Sequence, residues 1–337
     1  RLFGYPQNGR FSVTGWAIHA STCREQSAGY ACHGICPTLM RYPTMLFLAV
    51  LTTGAAFPAI AANISPTAAK IELGHRLFYD ADLSRDGSMS CATCHEQRHA
   101  FSDGNPTHPG VTDEDGIRNV PPLTNVGQFH TLTWINQHVT TLEDQFFIPL
   151  SGHHPVEMGM TDMPELARRL SANPCYRVLF SKAFPQKNIP IDARSVAQAV
   201  SAFERELISN KSPWDLGLSD AKQSQTNGKK IFFGKGKCSS CHQPPLFTDQ
   251  EFHALSTSYS EPIRTPSLRN VEVTAPYLHD GSAPTLRKAI LAHPKSSLLS
   301  QNELIELMAF LKLLTDHNFL SDASLGLPSE ECPISTQ

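Results

Sequence analysis

Cys91-Ala92-Thr93-Cys94-His95, written a second time as Cys238-Ser239-Ser240-Cys241-His242, decides how this chain folds. C-x-x-C-H is the pattern on which a c-type haem is attached. The spacing has a chemical reason. Two thiols one short turn apart can each add to a vinyl group of a porphyrin, and the imidazole that follows reaches the iron. Covalent attachment holds the haem without a closed pocket, so small helical domains can carry it. Two other chemistries use cysteines at this spacing: a pair of redox C-x-x-C motifs, or a four-cysteine zinc site divided between them. The histidine directly after both motifs and the secretory leader described next speak for haem. Two covalent c-type haems are expected.

Outward from the motifs, the chain has 337 residues, a formal charge of −3 and nine cysteines. That length suits two modest domains. Met40-Arg41 opens a short basic region, Met45 to Leu51 is an apolar run, and Ala59-Ile60-Ala61 is an A-x-A cleavage site. Residues 40–62 read as a secretory signal peptide, its apolar run too short to span a bilayer as a mature helix. Residues 1–39 show no strong apolar period and read as sequence upstream of a start at Met40. Residues 1–62 hold four Arg and one Glu, which leaves 24 basic against 30 acidic side chains beyond them. Such a surface has no general attraction for nucleic acid or anionic lipid. Export to the periplasm agrees with haem attachment, which takes place outside the bacterial cytoplasm. Of the six later cysteines the motifs take four, leaving Cys175 and Cys332. An oxidising compartment permits a disulfide between these two; separate thiols are the alternative.

Ser65-Pro66 reads as an N-cap followed by proline at the first helical position. The helix it opens, Thr67 to about Tyr79, spaces Ala69, Leu73 and Leu77 along one face. Asp192 to Leu207 likewise aligns Val196, Val200, Phe203 and Leu207. Ser300-Gln301-Asn302-Glu303 is a capping box ahead of a stripe from Leu304 to Leu314. No stretch sustains a period of two, so the class is mainly α. The surroundings of the two motifs also recur in order. Gly74-His75-Arg76-Leu77-Phe78-Tyr79 precedes the first and Gly228-Lys229-Lys230-Ile231-Phe232-Phe233 the second. Phe101-Ser102-Asp103 and Phe247-Thr248-Asp249 follow them, and the stretch from Arg118 to Val126 is echoed from Arg264 to Val271. Two copies of one haem module, with Ser209 to Ser224 as linker, account for this order.

From about Ile71 to Thr315 the chain resembles the bacterial di-haem cytochrome c peroxidases and their relative MauG. The likeness is carried by Glu72-Leu73-Gly74, both C-x-x-C-H motifs, Pro155-Val156-Glu157-Met158 and Thr274-Ala275-Pro276-Tyr277-Leu278-His279-Asp280-Gly281. The stretch from Thr131-Leu132-Thr133-Trp134 to Glu157 most resembles the branch found beside methanobactin-type copper-binding proteins. In that branch the di-haem enzyme oxidises a tryptophan of its partner.

The resemblance implies two cytochrome c-like haem domains in tandem: a peroxidatic one over 63–210, an electron-transfer one over 211–325, and a tail over 326–337. The first haem, on Cys91, Cys94 and His95, would react with hydrogen peroxide. The second, on Cys238, Cys241 and His242, would take in or store electrons. Trp134 matches the relay between them. Gln145 and Glu157 match the polar pair over the open face of the first haem, one positioning peroxide while the other moves its proton. Asn119, Thr274 and Pro276 match the ligands of an inter-domain calcium ion, an all-oxygen set that suits a hard cation.

The chain also departs from its relatives. W-D-G-R often stands where this chain has Trp134-Ile135-Asn136-Gln137. His293 takes the place of the Met or Tyr that is the sixth ligand of the second haem, so a bis-histidine haem with His242 is expected. His108, in the loop from Gly104 to Gly116, is either a sixth ligand of the first haem or an exposed loop histidine. Two partners compete: a small cytochrome or copper protein donating electrons for peroxide reduction, and a copper-binding protein whose tryptophan is oxidised. A different class altogether is a di-haem electron carrier without peroxidase activity, both irons six-coordinate through His108 and His293.

Overall fold

The computed structural model describes residues 66–186, 191–217, 219–254 and 261–332. The signal peptide, the upstream segment and the Ser65 cap lie outside the described residues. In chain order the helices are α1 (Pro66–Phe78), α2 (Cys91–Cys94), α3 (Leu142–Gln145), α4 (Phe147–Ser151), α5 (Met163–Ala172), α6 (Pro174–Ala183), α7 (Ala193–Glu204), α8 (Gln223–Phe233), α9 (Leu286–Leu291), α10 (Gln301–Leu311) and α11 (His317–Ser321). Two two-residue strands, β1 (Phe252–His253) and β2 (Ile263–Arg264), pair antiparallel. The fold is mainly helical, as the missing period of two requires.

Local chemistry sets the helix ends. Asp192 accepts from Ser195 N at 2.8 Å while Ser195 Oγ accepts from Asp192 N at 3.0 Å, a reciprocal cap that starts α7. Ser300 and Glu303 do the same for α10. The α10 stripe reaches Leu314 as expected, but its last turn, Lys312–Leu314, tightens into a 3-10 helix. Helix α7 stops at Glu204, short of Leu207.

The repeat has a structural counterpart in two close helix pairs. Helix α1 packs on α7, and α8 packs on α10. A Cβ on Gly74 would lie 1.8 Å from the Ala199 carbonyl oxygen, and one on Gly228 would lie 1.9 Å from that of Glu306. Only hydrogen fits at either crossing. Asn125 and Asn270 both take the left-handed conformation, at φ 58° and 59°, which asparagine tolerates better than most residues. Register follows from side-chain bonds. Ser102 Oγ donates to Val120 O, and Thr248 Oγ1 donates to Thr265 O, each at 2.6 Å. Val120 therefore pairs with Thr265, and Asn119 with Arg264. The echo is therefore one residue out where it begins, at Arg118 and Arg264, while Leu123 with Leu268 and Asn125 with Asn270 keep the register.

The linker expected over Ser209 to Ser224 starts as a packed seam, and most of its described residues after Asp215 are exposed. Ser209 and Ser212 are buried, Trp214 lies against the core around Phe232 and Phe310, and Asp215 pairs with Arg269 at 2.8 Å. Asn125 exchanges bonds with Ser209 N and O, and Asn270 Nδ2 donates to Thr124 Oγ1 and Ser209 Oγ. These buried polar groups are satisfied across the join between the halves.

After Leu314 the chain returns to the first half. Phe319 packs on Phe101 with ring centroids 5.7 Å apart. Gln97 Nε2 donates to Phe319 O and Asp322 O, and Tyr79 OH donates to Leu325 O. Cys175 and Cys332 form a disulfide across 157 residues, which settles their two alternatives. No described helix is long and apolar enough to cross a membrane. Closing so long a loop restricts the unfolded chain. Replacing both cysteines by serine is expected to lower unfolding stability by about 2–4 kcal/mol, measured by denaturant titration of the haem-loaded protein.

Candidate functional site

The first motif is one helical turn. Ser90 N donates to Thr93 Oγ1 at 2.9 Å, and His95 N donates to Cys91 O at 2.9 Å. That turn sets the two thiols at the first and last positions of α2, with the imidazole directly after it. His95 Nδ1 lies 2.7 Å from Phe101 O. A carbonyl only accepts, so Nδ1 carries the hydrogen and Nε2 keeps its lone pair, the form a metal-ligating histidine takes. Phe101 turns that carbonyl inward from a left-handed backbone at φ 61°. Burial pushes the His95 pKa down to about 4, so the ring is neutral at physiological pH.

The second motif repeats the device. His242 Nδ1 lies 3.2 Å from Phe247 O and 3.1 Å from Pro266 O, and Phe247 is again left-handed, at φ 56°. Burial first, then the nearby His293, lowers its pKa to about 4. His293 follows α9 and has its own Nδ1 2.9 Å from Ala289 O, which leaves its Nε2 free as well. The two rings stand 6.3 Å apart, centroid to centroid. A metal–imidazole bond is about 2 Å and ring nitrogens sit roughly 1 Å from the ring centre, so two imidazoles on one ion stand about 6 Å apart. These residues border a cavity of about 400 Å³ with a chiefly apolar wall, and Cys238 and Cys241 border it too. The donors, the spacing and the cavity fit a haem.

Both halves build that cavity. Trp134, Asn119, Thr274 and Pro276 all border it. Trp134 is 8 % exposed, and its Nε1 donates to Asn119 O at 2.8 Å. The Asn119 side-chain amide donates to Asn105 O and Pro106 O, which turns Oδ1 the other way.

Around the first motif the loop bearing His108 lies flat on the segment bearing Glu157. Val111 N donates to Glu157 O at 2.8 Å, and a Cβ on Gly110 would meet Val156 O at 1.8 Å. Met158 N in turn donates to Pro149 O at 2.9 Å, fastening Glu157 to α4, just beyond Gln145. The Glu157 carboxyl is close enough to Cys94 and His108 to interact electrostatically. Burial raises its pKa against the smaller opposing effect of His108. Gln145 is half-buried at the end of α3 and makes no side-chain hydrogen bond to Glu157. His108 is half-buried too, close enough to lower the His95 pKa, yet makes no ring contact with it among the described residues.

Glu204 escaped the sequence reading. It is 7 % exposed and lies close enough to Cys91 to raise that thiol. Burial pushes its pKa up to about 8. The signal was present: Glu204 is four residues after Val200, on the apolar stripe of α7, where a charge has no reason to be.

Two haem-attachment turns with neutral proximal imidazoles, on a helical body with a two-fold internal repeat, define a di-haem c-type protein. Comparison with known proteins agrees. The family model for di-haem cytochrome c peroxidase matches residues 68–223. The methylamine utilization protein MauG of Methylophilus methylotrophus is 33% identical over 260 residues, covering 71% of this chain and 76% of that protein. Cytochrome c551 peroxidase of Nitrosomonas europaea is 29% identical over 272 residues, 72% of this chain and 79% of that one. A crystal structure of a MauG-like protein associated with microbial copper homeostasis superposes with a TM-score of 0.73 and 32% identity, over 77% of this chain and 93% of that chain. The chain belongs to the di-haem cytochrome c peroxidase and MauG family. It is an oxidoreductase of the di-haem peroxidase type, and the family implies two c-type haems.

Glu204 gives the fold a pH dependence with a definite sign. Between the ordinary carboxylate range and about 8 the folded chain keeps a proton that the unfolded chain has released. Stability therefore falls as pH rises through that window. Glu204→Gln is expected to remove the fall and to exceed the parent protein in denaturant resistance above that pH, as paired unfolding curves would record.

Proposed function

We propose that this chain is an exported, periplasmic di-haem peroxidase that uses hydrogen peroxide to oxidise a tryptophan of a copper-binding partner protein. Its two halves, 63–210 and 211–325, act as tandem cytochrome c-like domains with 326–337 as a tail. The observation that carries the reading is the difference between the two motifs. His242 has a second imidazole, His293, 6.3 Å away, whereas near His95 lies an acid, Glu157, with its pKa raised by burial.

Bound haem supplies an iron that exchanges electrons and reacts with peroxide where a coordination position is open. Cys91, Cys94 and His95 would hold the first haem, and Cys238, Cys241, His242 and His293 the second. Two strong nitrogen donors would confine a haem held by His242 and His293 to electron transfer. At the first, Glu157 accepts a proton from one peroxide oxygen and returns it to the other, while the Gln145 amide holds the molecule in place. Reduction of hydrogen peroxide to two waters takes two electrons and two protons. Trp134 carries the electrons between the sites; its indole N–H is pinned to Asn119 O, which keeps the ring at the cavity wall. Asn119 Oδ1 with the carbonyls of Thr274 and Pro276 would hold a calcium ion between the halves, since oxygen atoms alone suit it.

The copper-binding partner is supported by the Thr131–Glu157 stretch and by the likeness to the copper-homeostasis protein. Reduction of peroxide with electrons from a small cytochrome or copper protein is the competing use of the same site. One observation favours an electron carrier instead: His108 lies close to His95. As that haem's sixth ligand it would leave no high-spin iron.

Glu157→Gln is expected to slow the reaction with peroxide by about 10²–10⁴-fold while both haem spectra stay intact. Because the Glu157 pKa is raised, the base form is lost on acidification above the ordinary carboxylate range. Stopped-flow rates should fall as pH drops through that region, and the inflection should vanish in the variant. His293→Ala is expected to convert the second haem from low to high spin in magnetic spectra. A second haem that stays low-spin at an unchanged potential would remove His293 from the ligand set.

A further inference from the structure

The wall of the second cavity contains a cation that the protein does not neutralise. Arg264, at the end of β2, is 4 % exposed. Its Nε donates to Thr133 O at 3.0 Å and its backbone N to Trp134 O at 2.9 Å. The guanidinium carbon lies 5.5 Å from the centroid of the Phe129 ring. Nη1 is buried and has no hydrogen-bond partner among the described residues. Burial alone lowers the Arg264 pKa to about 10, with no acidic neighbour contributing, so the side chain remains a cation at neutral pH.

A buried, unpaired cation is among the costliest arrangements in a protein interior, and one aromatic face offsets little of that cost. The fold itself does not demand it, because Asn119 stands at the equivalent place in the first half and is neutral. Lys237 and Lys295 also border the cavity, but both are exposed and keep their water. The compensation for Arg264 has to come from the occupant of the cavity. On the reading that the occupant is a c-type haem, its anionic substituents are the two propionate carboxylates.

We propose that Arg264 Nη1 pairs with a propionate of the second haem. The proposal rests on the haem reading of that cavity. Charge-assisted pairing of guanidinium with carboxylate is the strong form of hydrogen bond. The Arg264 side chain holds the Thr133 carbonyl and its backbone N holds the Trp134 carbonyl, so one residue fixes the tryptophan at the wall of that cavity. Arg264 is thus a positioning residue with an electrostatic consequence: its charge disfavours the oxidised iron and raises the reduction potential of the second haem.

The test compares Arg264→Gln, Arg264→Lys and the parent as exported, haem-loaded proteins. Three quantities are read: haem count by intact mass, the propionate bending band in resonance Raman, and the second-haem midpoint potential. The expected result is a shifted propionate band and a lowered potential in Arg264→Gln, with the potential largely restored in Arg264→Lys. Loss of the second haem from the glutamine variant but not from the lysine variant also supports the pairing. An unchanged band and potential in Arg264→Gln would overturn it, as would haem loss from both variants. An equal shift in Lys295→Gln, at the same cavity, would reduce the effect to general field and also overturn the pairing. A parent protein carrying no second haem would instead remove the reading beneath it.

Discussion

Each half is organised around one hydrogen bond, from the Nδ1–H of a proximal histidine to the carbonyl of a phenylalanine five or six residues on. The bond fixes the tautomer and aims Nε2 away from the protein backbone, while burial keeps the ring neutral. It needs Phe101 and Phe247 in left-handed backbone, a conformation that costs a bulky residue energy. Both rings are completely buried, so packing holds what local preference would not.

Placing those turns is the task of the helix pairs. Gly74 and Gly228 let α1 approach α7 and α8 approach α10 until backbones touch. The pairs then carry large side chains that pack ring against ring, Phe78 on Phe203 in one half and Phe232 on Phe310 in the other. What joins the halves is polar. Asn125, Ser209, Asn270 and Asp316 share a buried hydrogen-bond set at the seam, and the C-terminal segment crosses back to lie against Phe101 and Gln97. The C-terminal segment thus packs on Phe101, the residue whose carbonyl accepts from the first histidine.

On this shared frame the halves have diverged in charge. Near the first motif lie two acids, Glu157 half-buried and Glu204 buried, both with raised pKa values. At the second cavity lie a buried cation, Arg264, and a second imidazole, His293. Acid near one motif and a cation near the other give the two motifs different electrostatic surroundings.

Much of this was legible in the sequence. Covalent chemistry demands C-x-x-C-H at fixed spacing, and capping demands Ser300 with Glu303. Helical packing demands the stripes on α1, α7 and α10, and duplication leaves its order in the chain. All of these are local, written in residues a few positions apart. The pairing of Cys175 with Cys332, the crossing of the C-terminal segment to the first half, and the burial of Ser209 and Ser212 at the seam needed the tertiary structure, since each joins residues distant in the chain. So did the register that pairs Asn119 with Arg264. Arg264 and Glu204 are the clearest cases. In sequence they are an ordinary arginine and an ordinary glutamate. Only burial, which depends on every element packed around them, turns the first into an unpaired cation and the second into an acid that keeps its proton.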